Sequence, residues 1–314
     1  MSKAGKSEHK VALVTGATGF VGRHLVLRLV REGWKVHIVI REGSKHGIPE
    51  LAQAINHAHD GTTEGMIALV AEAKPDAVFH LASLFLSQHE PKDIASLVLS
   101  NILFGNQLLE AMRINGVSQF INTGTSWQHF NNEDYNPVCL YAATKQAFED
   151  ILAYYIEAAS IKAITLQLFD TYGPEDPRPK LFHLLEKTAK SQEPLSMSPG
   201  EQLIDLVYID DVIDAYLCAH KELETMAAGR QVYAVSSGNP IPLKVLVQQY
   251  AEITKQTIAV NWGARPYRYR EVLVPWNRGK RMEGWLPKIS LIKGIRSIIQ
   301  RNLGVENKKN DIPS

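Results

Sequence analysis

Apolar positions in the first half of the chain follow two rhythms in turn. Short β-rich runs at 10–16 (KVALVTG), 35–41 (KVHIVIR), 76–83, 119–124 and 162–170 read as strands, with a further strand inside 51–61. Between them, apolar residues recur at helical spacing over 24–33, 63–74, 93–114 and 141–159. Strand alternating with helix predicts an α/β protein whose parallel sheet is covered on both faces. After residue 170 the alternation loosens. A Pro/Gly-rich loop leads into a short helix over 182–190, and another loop runs to 202. A strand passing into a helix covers 206–223, with an Asp at the helix start, where a cap belongs. A strand at 231–237 and a helix at 243–254 follow.

The chain has 314 residues, 45% hydrophobic and 21% charged, as in ordinary globular proteins, so one large α/β domain or one with an appended lobe is expected. The 34 basic and 33 acidic residues leave a net charge of +1 without a long like-charge block, so neither nucleic acid nor a membrane is an expected partner. No apolar run reads as long enough to span a bilayer, and the polar N-terminus lacks the apolar region of a signal peptide. A cytoplasmic location is therefore expected. With only Cys139 and Cys218, neither a disulfide framework nor a cysteine metal site is expected, and no metal is assigned. Residues 1–9 and 305–314 are expected to be disordered.

Glycines 16, 19 and 22 lie between the first strand and the first helix, in VTGATGFVGRHL. At that place they allow a tight turn and let backbone N–H groups approach a pyrophosphate at the positive helix end. Gly16, Thr18, Gly19, Phe20, Val21 and Gly22 are thus the first candidate cofactor residues. The second strand ends at Arg41, where a guanidinium can pair with a 2′-phosphate, which favours NADP(H), with NAD(H) as the alternative. Asp60, after the third strand, is placed to accept from an adenine amino group.

INTGTSW at 121–127 ends an apolar run in hydroxyls, and LYAATKQ at 140–146 sets Tyr141 and Lys145 one helical turn apart. Alone, that pair is either a solvated surface pair or a proton donor beside a cation.

Taken together, TGATGFVG, FHLAS at 79–83, Asn101 in the long helix, YAATK, TYGP at 171–174, DLVYIDDVIDAY at 205–216 and GWLP at 284–287 resemble the extended short-chain dehydrogenase/reductase family. The resemblance covers about residues 10–290. It implies a Rossmann-type doubly wound parallel sheet over 10–170, to which 205–236 returns. A smaller C-terminal substrate-binding lobe would come from 171–204 and 237–300. It implies Tyr141 as proton donor or acceptor, with Lys145 lowering its pKa and holding the nicotinamide ribose, and Thr125 as the hydroxyl on the reacting sugar oxygen. It adds Leu81, Ala82, Ser83 and Asn101 to the cofactor set. It implies a nucleotide-sugar substrate and a homodimer paired through the 93–114 and 141–159 helices, where Leu103, Phe104, Leu108, Phe148, Leu152 and Tyr155 exceed what one sheet-facing stripe needs.

Departures from the family pattern choose among reactions. The family's 4,6-dehydratases carry an Asp-Glu pair after the active Ser/Thr; here Thr125 is followed by Ser126, Trp127 and Gln128. The 125–141 segment is shorter than in typical 4-epimerases and resembles the family's deoxysugar 4-ketoreductases. Asp170 stands where Asn is frequent, and Ile204 where Arg is common. Ser126, Trp127, Asp170, Lys180 and Arg268 are the candidate substrate contacts. Arg268 falls three residues before Glu271, as in the family's Arg-x-x-Asp/Glu pattern, and its fork suits a diphosphate. The reading is an NADPH-dependent reductase of a nucleotide-linked 4-keto-6-deoxysugar. The alternatives are an NAD-dependent 4-epimerase and, from another class, a non-catalytic dinucleotide-binding scaffold or sensor.

Overall fold

The computed structural model describes residues 9–43, 47–191 and 193–310, with the side chains of 50 and 302–310 excepted. It begins with β1 (Val11–Thr15), α1 (Phe20–Arg31), β2 (Lys35–Arg41), β3 (Ile55–His59), α2 (Thr63–Ala73) and β4 (Ala77–His80). Then come α3 (Ile94–Val98), α4 (Phe104–Asn115), β5 (Gln119–Thr125), α5 (Leu140–Ala159) and β6 (Lys162–Leu168). α1 starts four residues before the expected 24, because Gly19 already has the extended backbone of a cap (φ −76°, ψ 169°). A π-helical turn, Leu99–Leu103, joins α3 to α4.

Seven parallel strands form the main sheet in the order β11-β6-β5-β4-β1-β2-β3, where β11 is Gly229–Val235. The order reverses between β1 and β4, which puts the carboxyl ends of those two strands at a switch point, where α/β sheets bind ligands. Apolar strand residues are buried to both sides, Val14 and Ile38 in one core and Leu13 and Val78 in the other. α1 belongs to the first core; α2, α4 and α5 supply the second through Met66, Leu108 and Leu152. The architecture is the doubly wound Rossmann type.

The remaining elements are β7 (Asp170–Tyr172), α6 (Leu181–Ser191), β8 (Leu195–Met197), β9 (Leu203–Ile204), β10 (Leu206–Tyr208), α7 (Ile209–Thr225), β12 (Ile241–Pro242), α8 (Leu243–Thr254), β13 (Val260–Trp262) and α9 (Leu291–Asn310). β7 pairs with β10, β9 with β12 and β8 with β13, in three two-stranded sheets. A third core, built on Leu185, Leu246, Tyr250 and Ile295, ties α6, α8 and α9 together. α9 runs through 305–310, where disorder is expected from the sequence; 1–8 and 311–314 lie outside the described residues.

Two sequence expectations change here. The helix Pro91–Asn115 is, by length and mean hydropathy (1.3), apolar enough to cross a bilayer, contrary to the expectation that no run is. Its Leu97, Leu108, Leu109 and Met112 are fully buried within the fold. Of the six apolar residues assigned to a dimer face, Leu108, Phe148, Leu152 and Tyr155 are core, and Phe104 packs against it. Only Leu103 is exposed, and it extends a different apolar stripe of Ile94, Val98 and Leu99, with Tyr154 exposed on α5.

Candidate functional site

The glycine turn is closed by contacts that admit no side chain. A Cβ on Gly22 would stand 2.1 Å from the Gly16 carbonyl oxygen, and one on Gly16 (φ +70°) would stand 2.5 Å from the Ala82 nitrogen. The first turn of α1 has neither a side-chain cap nor an acidic residue, so its N–H groups and positive end stay available to an anion. Thr15 joins the turn to the next strand end: its carbonyl accepts from the Leu81 N–H at 3.2 Å and its hydroxyl from the Ala82 N–H at 3.2 Å. A dinucleotide pyrophosphate fits this cradle. Thr18, Phe20 and Val21 sit at its rim, with Phe20 buried.

Arg41 ends β2, paired with His59 of β3, and its exposed side chain makes no hydrogen bond or ion pair among the described residues. Asp60 uses one carboxylate oxygen at home, accepting from the Thr62 N–H and hydroxyl, both at 2.8 Å, and those bonds hold its pKa below the ordinary value. Asn101 is buried in the π-helical turn and spends its whole amide inside the chain. Its oxygen accepts from the Ser83 hydroxyl (3.1 Å) and the Leu84 N–H (2.7 Å); its nitrogen donates to the Leu84 carbonyl (3.0 Å) and the Thr144 hydroxyl (2.9 Å). It therefore ties the 81–84 segment to α5.

That tie brings Thr125, Tyr141 and Lys145 together. Tyr141 lies at the start of α5 and Thr125 ends β5, and the Ser83 and Thr125 hydroxyls are close enough to the Tyr141 phenol to favour its ionised form. Burial pushes the phenol pKa up and the nearby Cys139 adds to this, while the two hydroxyls pull it down. The phenol is thus held protonated. Lys145, 2% exposed, is pushed down to about 8 by burial, with Glu149 opposing. Cys139 stands immediately before α5, and burial raises its thiol. His129 stacks on Trp276 at 3.8 Å and bonds Gln167, so it packs a wall.

A cavity of about 520 Å³ is lined by Phe85, Trp127, Asp170, Lys180 and Arg268 among others, and Phe85, which meets the Tyr141 ring, connects it to the catalytic candidates. A smaller one of about 150 Å³ shares Trp127, Asp170, Ile204 and Arg268 with it and adds Ser126. All five candidate substrate contacts therefore converge here. Arg268 is forked onto Glu271, with Nε to Oε2 at 2.9 Å and a terminal nitrogen to Oε1 at 2.8 Å, and its guanidinium lies 5.5 Å from the Trp127 ring centre. Lys180 pairs with Asp170 at 3.7 Å.

Sequence reasoning missed Phe85, whose ring meets Tyr141 edge-on at 5.0 Å and Trp127 at 5.5 Å. It also missed Glu149 and Arg230 behind Lys145, and the tie that Gln128 makes between Glu149 and Thr125. The Lys145-to-Glu149 spacing of four was the available signal; nothing local marks Phe85.

With that geometry in hand, the chain matches the model of the NAD dependent epimerase/dehydratase family over residues 12–235. It belongs to that family. As an extended short-chain dehydrogenase/reductase of the epimerase/dehydratase family, it is an NAD(P)-dependent enzyme of the oxidoreductase kind. CDP-abequose synthase of Salmonella typhimurium is 25% identical over 296 residues, covering 92% of this chain and 97% of that protein. UDP-glucose 4-epimerase of Mycolicibacterium smegmatis is 27% identical over 316 residues, covering 92% and 97%. Among solved structures, UDP-glucose 4-epimerase of Thermotoga maritima with UDP-glucose superposes with a TM-score of 0.82 at 24% identity, covering 94% of this chain and 99% of that one.

Proposed function

We propose that the protein is an NADPH-dependent reductase of a nucleotide-linked 4-keto-6-deoxysugar. The observation that carries this reading is the segment after Thr125. An elimination of water needs an acid and a base beside the sugar, and Ser126, Trp127 and Gln128 supply no carboxylate. Gln128 is fully buried, with its amide committed to Thr125, Gln146 and Glu149. Phe85 packs against both Tyr141 and Trp127, where a keto sugar would have to turn for epimerisation.

The glycine turn, Leu81–Ser83 and Lys145 would hold a nicotinamide dinucleotide, which would supply the hydride. Tyr141 then protonates the oxygen of the reduced carbon, while Thr125 bonds that oxygen and orients it. Lys145, as an ammonium, stabilises the phenolate that remains. Asn101 positions Ser83 and α5. Arg268 and Lys180 face the diphosphate, and Ser126, Trp127 and Asp170 the sugar. In this reading 171–204 and 237–300 form the substrate lobe. The whole-length likeness to CDP-abequose synthase supports a reductase; the equally long likeness to UDP-glucose 4-epimerase favours the second reading, an NAD-dependent 4-epimerase. The reductase should oxidise NADPH only when a CDP-, dTDP- or GDP-linked 4-keto-6-deoxysugar is supplied; consumption of a 6-hydroxyhexose instead would defeat it.

Arg41 makes cofactor choice a separate test. NADPH is expected to bind at least about tenfold more tightly than NADH, ~1.4 kcal/mol, by fluorescence titration. Equal affinities, or NAD retained through purification, would transfer support to the epimerase.

The apolar stripe Ile94, Val98, Leu99 and Leu103, with Tyr154 across on α5, supports a homodimer paired through these helices. Sedimentation at micromolar concentration should give twice the 35.0 kDa chain mass. A monomer there would contradict it.

A further inference from the structure

Behind Lys145 lies a buried polar network that the proposed chemistry does not use. Glu149 is one helical turn further along α5 and 1% exposed. Its Oε1 accepts from the Gln128 side-chain amide at 2.9 Å, and its Oε2 from Arg230 on β11. The Gln128 amide oxygen in turn accepts the Thr125 backbone N–H at 3.0 Å. One carboxylate is therefore linked to both the helix that carries Tyr141 and Lys145 and the strand end that carries Thr125. A buried carboxylate is costly unless it is hydrogen-bonded and paired, so its presence asks for a task.

We propose that Glu149 is the counter-charge that keeps Lys145 an ammonium, with Gln128 fixing the carboxylate in place. The proposal rests on the reading of Tyr141 and Lys145 as the working pair. Glu149 is a positioning residue, since it touches neither substrate nor cofactor. Lys145 makes no ion pair at contact distance among the described residues, so the carboxylate acts across one helical turn. The other titratable groups facing this pair are His80 from β4, kept neutral by burial, Tyr141 on α5 itself, and His129 and Arg230 on the Glu149 side. Arg230 competes with Lys145 for the same carboxylate. This gives the proposal a sign that simple packing lacks: deleting Glu149 should make Lys145 easier to deprotonate, and deleting Arg230 should make it harder.

The test is the titration of Lys145 in the full-length protein labelled with ¹³Cε-lysine, its signal assigned by its loss in Lys145→Met. Against wild type, Glu149→Gln should move the midpoint acidward by about one pH unit or more, and Arg230→Gln should move it alkaline. Where a ketosugar turns over, the alkaline limb of kcat/KM should move with it. Failure of the reductase reading would show as missing turnover with the lysine shifts intact. Unmoved midpoints in both variants, or shifts of the same sign, would overturn the proposal. Should Glu149→Gln fail to fold, Arg230→Gln decides alone: an unmoved or acid-shifted midpoint refutes it.

Discussion

Tyr141→Phe is expected to slow ketone reduction by about 10²–10⁴ while leaving the fold and dinucleotide affinity near wild type. The ring remains, so its edge contact with Phe85 and its place at the start of α5 survive. What goes is the proton. Reduction turns a carbonyl oxygen into an alkoxide, and in the proposed reaction the phenol, held protonated by burial, is the acid for it. The Ser83 and Thr125 hydroxyls stay in place beside the ring. Thr125→Val acts on the same step by removing one hydrogen bond, so its loss should be smaller. Single-turnover rates with a bound ketosugar separate the step from product release. A Tyr141→Phe rate equal to wild type would remove the phenol from the reaction.

Arg268→Ala carries the next largest effect, a loss of roughly 1.5–3 kcal/mol in sugar-nucleotide binding with cofactor affinity unchanged. Glu271 holds the guanidinium by two nitrogens and sets its plane against Trp127, leaving the remaining donors for an anion. Family members commonly carry a second arginine where this chain has Ile204, a residue that lines both cavities. The phosphate load should therefore fall more heavily on Arg268 and Lys180. Calorimetric titration with the nucleotide sugar and, separately, with NADPH tells the two sites apart. Equal damage to both would assign Arg268 a structural task.

The alternation of strands and helices was legible because each carries enough residues to show a period, as in β2 and α5. The glycine turn was legible for another reason: Gly16 and Gly22 are required by backbone contacts that any side chain would break. The two- and three-residue strands after residue 190, β8, β9, β12 and β13, show no period at that length and exist only through their partners. α9 escaped notice because basic residues and Gly294 interrupt its apolar stripe. That glycine is needed where the helix crosses Tyr172, since a Cβ there would stand 2.2 Å from the hydroxyl. The apolar residues expected at a dimer face were misplaced for a geometric reason: the sequence shows a surplus of apolar residues on two helices, but only packing tells that Leu108, Phe148 and Leu152 are buried in the core and Ile94, Val98 and Leu99 are not. Arg230 reaches the site from a segment distant in sequence, and Phe85, two residues past Ser83, meets Tyr141 only through the fold. Their parts were written in tertiary contacts alone.

The most direct test of the proposed reaction follows the label from NADPH deuterated at the nicotinamide C4 position that is transferred, with a nucleotide-linked 4-keto-6-deoxysugar as substrate. A reductase places one deuteron on C4 of each product sugar and consumes one NADPH for it. Mass spectrometry of the sugar and absorbance of the dinucleotide should therefore agree mole for mole. Interconversion of C4 stereoisomers without net NADPH loss, and with no deuteron in the product, would contradict the account and make the protein an epimerase.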